Sequence, residues 1–565
     1  MVLSQILIVM IAAIAVTIIA ERRNIQPPLL LALIGLMASF IPGLARLELE
    51  PDIILTVVLP PLLFSAARQF SLVSFLMRLG SIVNLGVFLV AVTALVVGAV
   101  ATSAIPGMTL AVALVLGAVV SPPDAVTAVA VGRRLKLPGQ MMTVLKGESL
   151  INDAAALTLF TFAAASVTGT HLPISNLFVY LLYSAVAGVL VGVVMGGVVH
   201  RIRVKLDNAS LSTVLGILVP FTAYLVAEEL GASGVLAVVA AGLLLGHDSR
   251  EVHYAARIQE QQFWRTADSL LEAFVFAYIG LQLRFVIEDV VASGLPVLDL
   301  TGMALLVLAT VIVVRIGWVF LTGAIARWRD RAIRRRLADP QAMQRLRARR
   351  PLSAREEERR RMFELLPPFS WKENLVIGWT GMRGVVTLAA AAGIPLVTVT
   401  GDPFPARDVI QVVAFVVALG TLLLQGLTLP WLIRRLEISA PSEDRQRAAQ
   451  HALAEELARQ ASVDTVSAYR DRQTDPARRR MADAMLARFA AERAQAGQGA
   501  AGPDAAEAPL LLELATDILA AQRAAVVQAR DARRLDDEVM RDVLEDLDLE
   551  QAVMASRAPG EFGRS

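Results

Sequence analysis

The stretch Ser121-Pro122-Pro123-Asp124-Ala125-Val126 interrupts an apolar segment that begins near residue 108. Proline has no backbone N–H, and its ring clashes with the preceding turn, so two adjacent prolines break a helix here. The glycines of Gly378-Trp379-Thr380-Gly381-Met382-Arg383-Gly384 loosen a second apolar segment. Transporters carry discontinuous helices at matching positions of two repeats, around a site near the middle of the membrane. The two interruptions therefore predict a transporter fold.

Apolar residues dominate most of the chain. Hydrophobic residues make up 56% of its 565 residues, without glycine being counted. Soluble domains reach about 45–50% with glycine included, so the excess indicates a lipid environment. Segments of about 20 apolar residues cross a bilayer as helices, and we identify about 13 of them. They begin near residues 3, 28, 52, 80, 108, 141, 174, 210, 231, 264, 295, 373 and 407. The sequence predicts an all-α polytopic membrane protein.

The two interrupted segments are the fifth and the twelfth of this series. If the seventh segment separates two units of six, each interruption falls in the fifth segment of its unit. An offset of seven segments reverses the direction of crossing, which predicts two inverted six-helix repeats with crossed discontinuous helices. Asp124 lies at the predicted crossing, where its carboxylate can cap the half-helix that begins there. The alternative interpretation is a proline kink without function.

Basic residues orient the chain in the membrane. Arg22 and Arg23 follow the first apolar run instead of preceding it, which favours a retained spanning helix over a signal peptide. With the N-terminus outside, Lys and Arg collect in the cytoplasmic loops, and the outside loops hold only Arg46, Arg284 and Arg407. This asymmetry predicts a cytoplasmic C-terminus and a multi-pass protein of the inner (plasma) membrane.

The loop 327–372 is rich in arginine, with runs at 334–336 and 359–361. Such runs bind anionic lipid head groups or simply mark the cytoplasmic side, and we favour the second interpretation.

The net charge of +2 gives no indication of nucleic-acid binding. The chain has no cysteine, which excludes a disulfide framework and a thiolate metal site.

Several ionisable residues fall inside apolar segments, where each costs at least about 2.5–3.5 kcal/mol on insertion scales. Ser149, Asn152 and Asp153 share one helical face because of their spacing. Their hydroxyl, amide and carboxylate oxygens are the ligands that hard cations prefer. A buried carboxylate takes up a proton unless a cation replaces it, so Asp153 can bind one or the other. The alternative is that these polar groups only bond to neighbouring helices.

Glu148 points away from Asp153 and needs a positively charged partner. Arg383, which lies within the glycine-rich interruption, is the candidate. We predict a buried Glu148–Arg383 ion pair with a structural role, because removing one partner of a buried pair leaves a costly lone charge.

The sequence resembles the cation–proton antiporter-1 family, which holds bacterial sodium/proton antiporters and the animal sodium/proton exchangers. The resemblance covers residues 1 to about 436, and the segment that follows shows no such match. The stretches that carry it are Leu59–Phe64, Ser121–Val131, Gly147–Ala154, Tyr224–Gly246, Phe276–Leu283, Arg315–Phe320, Gly378–Ala392 and Gln425–Pro430.

The resemblance implies a fold of about 13 spans with inverted repeats, and a homodimer that works by alternating access. It also implies that Asp153 carries the ion, with Asn152, Asp124 and Ser149 supporting the site. The positions of Glu148 and Arg383 form a salt bridge in that family. An Asn before the ion-carrying Asp goes with electroneutral exchange there.

Two positions depart from the family pattern, and two others fit it. Many relatives have an acidic residue at Ser65, and several have Thr at Pro123, so both departures bear on ion selectivity and gating. Glu272 resembles an acidic position of the animal exchangers, and Arg315 also fits the family. We treat these four as accessory residues and not as ligands.

We divide the chain into an exchanger domain at 1–436 and a cytosolic helical tail at 437–565. Apolar residues such as Leu514, Ile518 and Leu519 recur at helical spacing in the tail, and 497–503 has the composition of a linker. The tail either regulates transport or supports dimerisation, or it is a loosely docked appendage.

The expected function is exchange of Na⁺ (or Li⁺) for H⁺, and a K⁺/H⁺ antiporter using the same site is the alternative. Motifs of nucleophilic, zinc and phosphate-binding enzymes are missing from the sequence, which argues against an enzyme. A passive channel needs no carboxylate that protons compete for. We expect no cofactor, and the expected partners are the transported ions, membrane lipid and a second copy of the chain.

Overall fold

The computed structural model describes most of the chain. The described residues are 2–23, 26–41, 53–104, 108–124, 126–170, 174–206, 208–247, 254–282, 284–285, 288, 297–338, 368–438, 441–492, 508–532 and 534–557.

Helices make up nearly all of the described structure. They are α1 (Val2–Arg22), α2 (Pro27–Ala38), α3 (Leu59–Arg68), α4 (Leu72–Val83), α5 (Leu89–Ala104), α6 (Leu110–Val120), α7 (Val126–Arg134), α8 (Gly139–Thr168), α9 (Leu177–Val204), α10 (Ala209–Glu229), α11 (Gly234–His247), α12 (Tyr254–Leu281), α13 (Val297–Ala338), α14 (Trp371–Trp379), α15 (Val385–Ala392), α16 (Arg407–Leu436), α17 (Pro441–Arg472), α18 (Pro476–Glu492), α19 (Ala508–Asp531) and α20 (Asp537–Arg557). Short π-helical turns at Ile54–Val58 and Asn84–Phe88 lead into α3 and α5.

Seven helical segments of the described chain are long and apolar enough to cross a membrane. They are α1, the continuous segment α4–α5, α8, α9, α10, α13 and α16. Shorter apolar helices are α2, α3 with its π-turn, α6 and α11. Large apolar side chains such as Ile11 and Phe178 are exposed on these helices, as expected where lipid is the solvent. The prediction of an all-helical polytopic membrane protein is confirmed.

Both predicted interruptions are present. The helix α6 ends at Val120 and α7 begins at Val126, with the two prolines between them. The helix α14 ends at Trp379 and α15 begins at Val385, so the second interruption lies within the glycine-rich stretch 378–384. Each interruption therefore separates two short half-helices, whose terminal backbone groups need partners from elsewhere in the protein.

The helix α13 extends further than the sequence indicated. Residues 327–338, which we assigned to the basic loop, continue this helix as far as Ala338. Arg and Ala have high helix propensity, so a spanning helix can continue into water when such residues follow it. The arginine run at 359–361 lies outside the described residues.

Small residues let α9 approach α11 closely. A Cβ at Gly188 would lie 2.5 Å from Ser233 O, and one at Gly192 would lie 2.1 Å from Ala237 O. Spacing by four residues places both glycines on one face, the usual arrangement for close packing between membrane helices. Gly197 belongs to the same helix, and a Cβ there would meet no atom within 4 Å.

The second compact unit contains residues 206–210, 252–259 and 440–565. Within it α17 packs against α18, α19 and α20, around buried residues that include Val466, Leu514 and Val526. Asp548 of α20 accepts hydrogen bonds from Arg257 at 2.5 Å and from Arg523 at 2.8 Å. The segment 497–503, predicted to be a linker, lies outside the described residues.

Replacing Gly192 with Val should destabilise the protein, because the new side chain meets the backbone of α11. Overpacking of this kind costs about 1–3 kcal/mol and sometimes more. We expect the thermal midpoint in detergent to fall for Gly192→Val. Gly197→Val makes the same change in helix propensity at an open position, so equal shifts for the two variants would contradict the close packing of α9 and α11.

Candidate ion site at the crossing of two interrupted helices

The two interruptions meet, and backbone atoms join them. The amide of Asp124 donates to the carbonyl of Met382 at 2.6 Å. Gly384 gives the Asp124 side chain its space, since a Cβ at this position would lie 2.1 Å from Asp124 Oδ2. The sequence placed both interruptions at equivalent positions, and the structure brings them into direct contact.

Asp124 has two different carboxylate oxygens. Its Oδ1 accepts from the amide of Val126 at 2.9 Å, at the start of α7. A carboxylate in this position satisfies a free helix N–H and interacts favourably with the helix dipole. Its Oδ2 is buried and has no hydrogen-bond partner among the described residues. One oxygen therefore caps the half-helix, and the other has no hydrogen-bond partner among the described residues.

The uninterrupted helix α8 passes beside this crossing. Asn152 is fully buried, and its Nδ2 donates to the carbonyl of Pro123 at 2.6 Å. Its Oδ1 is also buried and has no partner among the described residues. Ser149 lies on the same face and is half-buried. The amide of Asn152 thus ties α8 to the first interruption and leaves an oxygen unpaired.

Asp153 is the most unusual of these groups. Its side chain is 7% exposed. Within the part of the chain that the structure describes, its carboxylate forms no hydrogen bond and no ion pair. A buried anion without a partner is costly, so the group must take up either a proton or a cation. Together with the unpaired oxygens of Asn152 and Asp124, it offers the oxygen-rich surroundings that suit a hard cation.

Glu148 pairs with Arg315 of α13, so the predicted Glu148–Arg383 pair must be corrected. The Arg315 guanidinium contacts both carboxylate oxygens, with Nη1 bonded to Oε1 and Nη2 lying 3.0 Å from Oε2. Both side chains are buried, at 1% and 2% exposure. A second bond from Arg315 Nη2 reaches the carbonyl of Ile377 at 3.2 Å. Gly381 makes room for this arginine, since a Cβ there would lie 2.2 Å from Arg315 Cδ.

Arg383 instead binds backbone carbonyls at the crossing. Its Nε donates to Val120 O at 3.0 Å, and Nη2 donates to Ser121 O at 3.4 Å. Its Nη1 donates to Gly381 O, and its backbone amide donates to Thr421 Oγ1 at 2.9 Å. The carbonyls of Val120 and Ser121 are freed where α6 ends, and a cation at the C-terminus of a helix also interacts favourably with its dipole. Arg383 therefore stabilises the interruptions themselves.

The accessory residues Pro123, Ser65 and Glu272 lie on three different segments: the first interruption, α3 and α12. Pro123 contributes its carbonyl to Asn152. Ser65 is buried, and its Oγ donates to Asp268 Oδ2 at 2.5 Å. Glu272 is half-buried and follows Asp268 by four residues on α12, so both carboxylates share one face of that helix. Asp268 was not identified as a site residue from the sequence, although its spacing of four from Glu272 is a signal that could have identified it.

A double-mutant cycle tests the corrected pairing. Arg315→Gln leaves Glu148 buried without its partner and should destabilise the protein by about 3–5 kcal/mol. Adding Glu148→Gln should recover part of that loss, because the lone charge is then removed as well. The free energy of unfolding in detergent is the measurement for each variant.

The same cycle with Arg383→Gln is the matched control. Arg383 bonds to carbonyl oxygens, so Glu148→Gln should not rescue its loss. Rescue of Arg383→Gln, with no coupling between Glu148 and Arg315, would restore the pairing that we first predicted.

Residues 7–435 match the family described as sodium/hydrogen exchanger, transmembrane. An uncharacterized Na⁺/H⁺ exchanger of Mycobacterium tuberculosis (Rv2287) is 30% identical, over 98% of this chain and 97% of its own length. A sodium, potassium, lithium and rubidium/H⁺ antiporter of Bacillus pumilus is also 30% identical, over 75% of this chain and 60% of its own length.

A solved structure has the same fold. The sodium proton antiporter MjNhaP1 of Methanocaldococcus jannaschii aligns with a TM-score of 0.55 and 19% identity, over 77% of this chain and 98% of its own. The family match covers well over half of the chain, and the relative from Mycobacterium tuberculosis aligns along nearly its whole length. The chain belongs to the sodium/hydrogen exchanger family, whose members are secondary transporters that exchange monovalent cations for protons.

Proposed function

We propose that the protein exchanges Na⁺ (or Li⁺) for H⁺ and that cation and proton compete for the Asp153 carboxylate. The observation that carries this proposal is a buried carboxylate without a partner among the described residues, beside the contact between two interrupted helices. Asn152 Oδ1, Asp124 Oδ2 and the Ser149 hydroxyl complete the oxygen ligands that we propose for the cation. The cation is cargo and not a resident cofactor.

We propose that exchange is electroneutral, with Asp153 alternating between two monovalent partners while Asp124, whose Oδ1 accepts from the Val126 amide, keeps the same charge throughout. When Asp153 binds a cation it gives up one proton, so the charge that crosses the membrane with the site stays the same. Asn152 is neutral, and its Nδ2 is already engaged by the Pro123 carbonyl. It therefore contributes an oxygen without adding another titratable group to the two carboxylates.

Alternating access is the transport cycle that this architecture supports. The inverted-repeat topology, with about 13 spans, is the arrangement in which crossed half-helices hold a site at mid-membrane depth. The charges of Glu148 and Arg315 cancel each other, and Arg383 holds the interrupted backbone, so these three residues have structural roles. We further propose a homodimer in the plasma membrane with a cytoplasmic C-terminus.

A K⁺/H⁺ antiporter is the second candidate. The relative from Bacillus pumilus is described as a sodium, potassium, lithium and rubidium/H⁺ antiporter, so potassium is within the range of such proteins. The ligand types proposed here are the same for both ions, and selectivity depends on the size of the cavity and its flexibility.

Reconstituted protein provides the direct test of exchange. In liposomes that hold a pH dye and an acid-inside gradient, adding Na⁺ outside should dissipate the gradient, and Asp153→Asn should abolish the response. Asp408→Asn makes the same substitution at an exposed position of α16 and should leave transport unchanged.

Other outcomes of this assay are equally informative. A response to K⁺ alone would replace the sodium proposal with the potassium one. Undiminished transport by Asp153→Asn would contradict the role of Asp153, and a response that depends on membrane potential would contradict electroneutrality.

Competition also fixes how transport depends on pH. If protons and Na⁺ bind the same carboxylate, lowering the pH should raise the Na⁺ concentration for half-maximal rate, approaching tenfold per pH unit where the site is mostly protonated. The maximal rate at saturating Na⁺ should change much less over that range. A half-maximal concentration that is independent of pH would show that the two ions bind at separate groups.

A further inference from the structure

Arg327 of α13, the start of α14 and the end of α16 lie together at one edge of the larger compact unit, which contains residues 1–205, 211–251 and 260–439. The Arg327 guanidinium donates to Phe369 O at 3.2 Å, just before α14 begins. Lys372 Nζ donates to Leu436 O at 2.9 Å, where α16 ends. These two bonds join the three segments, so Arg327, the start of α14 and the end of α16 lie at the same face of the membrane.

Each of these three segments carries an exposed tryptophan. The exposed fraction is 70% for Trp328, 55% for Trp371 and 66% for Trp431. Tryptophan is enriched where the hydrocarbon meets the head groups, because its ring is apolar and its N–H is polar. The three side chains therefore mark the level of the lipid head groups on this face.

A cavity of about 380 Å³ opens beside the last turns of α16. It is lined by Leu427, Pro430, Trp431, Arg434 and Arg435. The spacing of these residues places them along one side of the helix, over roughly 12 Å from the first to the last. The cavity is apolar at its inner end and cationic at the end beyond Trp431.

The two arginines have no anionic partner within the described part of the chain. Neither guanidinium of Arg434 or Arg435 forms an ion pair or a side-chain hydrogen bond there, and both side chains are exposed. Interaction with the helix dipole accounts for basic residues in a last turn. It does not account for a cavity that joins those charges to an exposed tryptophan and an apolar wall.

We propose that this cavity binds the head group of an anionic phospholipid. The phosphate accepts hydrogen bonds from Arg434 and Arg435, whose planar guanidinium groups suit phosphate oxygens. Trp431 packs at the level of the glycerol backbone, and one acyl chain lies along Leu427, which is 65% exposed. The amphipathic order of the cavity matches the order of groups in such a lipid. The proposal requires only that the chain spans a membrane and is independent of the transported ion.

Native mass spectrometry of the full-length protein in detergent tests this proposal. Titration with phosphatidylglycerol should give a bound-lipid population, whereas phosphatidylcholine and inorganic phosphate should bind much more weakly. Replacing both arginines with Gln should weaken phosphatidylglycerol binding at least about tenfold, since each basic residue near the head groups contributes to the attraction.

Arg22→Gln with Arg23→Gln is the matched control. These two adjacent arginines are exposed at the end of α1, so the charge removed is the same. The control should bind the lipid as the unmodified protein does. A loss equal to that of the α16 variant would show general surface attraction and overturn the proposal.

Two further measurements distinguish a loss of lipid binding from a loss of folding in the α16 variant. The thermal midpoint of the α16 variant without lipid shows whether it is folded. Trp431→Ala keeps both charges and should still weaken phosphatidylglycerol binding several-fold. Full affinity for phosphatidylglycerol in either α16 variant would overturn the proposal. Failure of the unmodified protein to bind this lipid would also overturn it, and would point to the chain's own tail or a second copy as the occupant.

Discussion

The hydrogen bond from the Asp124 amide to the Met382 carbonyl holds the structure around the site together. Lipid cannot satisfy backbone N–H and C=O groups, so a membrane helix can be interrupted only where protein atoms replace the missing partners. Here each interruption supplies partners to the other. Arg383 binds carbonyls of both, and Thr421 accepts from the Arg383 amide. Gly384 and Gly381 leave the space that these contacts need.

The buried charged groups around this crossing differ in whether they have a partner. Glu148 and Arg315 neutralise each other through two hydrogen bonds, and Arg383 is surrounded by carbonyl oxygens. Asp153 has no such compensation within the described residues. Burying a charge is costly unless it is paired. We propose that the Asp153 carboxylate exchanges its partner while Glu148, Arg315 and Arg383 keep theirs. We propose that this contrast between compensated and uncompensated charge suits the site to exchange.

The sequence predicted the elements of the site better than their pairing. The prolines at 122–123 and the glycines at 378–384 identified both interruptions, because these residues act on the backbone locally. The spacing of Ser149, Asn152 and Asp153 predicted that they share one helical face, because helical periodicity is also a local property. The predicted partner of Glu148 was wrong because the chain has two buried arginines near it. Only the packing of α13 against α14 decides which arginine pairs with Glu148. Asp268 was missed because its bond to Ser65 joins residues 203 positions apart.

We propose that proton and cation exclude each other at Asp153. Calorimetric titration of the detergent-solubilised protein with Na⁺, in two buffers of different ionisation enthalpy, measures the protons released for each cation bound. At a pH where the site is mostly protonated, we predict a release approaching one proton per Na⁺, and no release from Asp153→Asn. Na⁺ binding without proton release, or equal release from the variant, would contradict the claim.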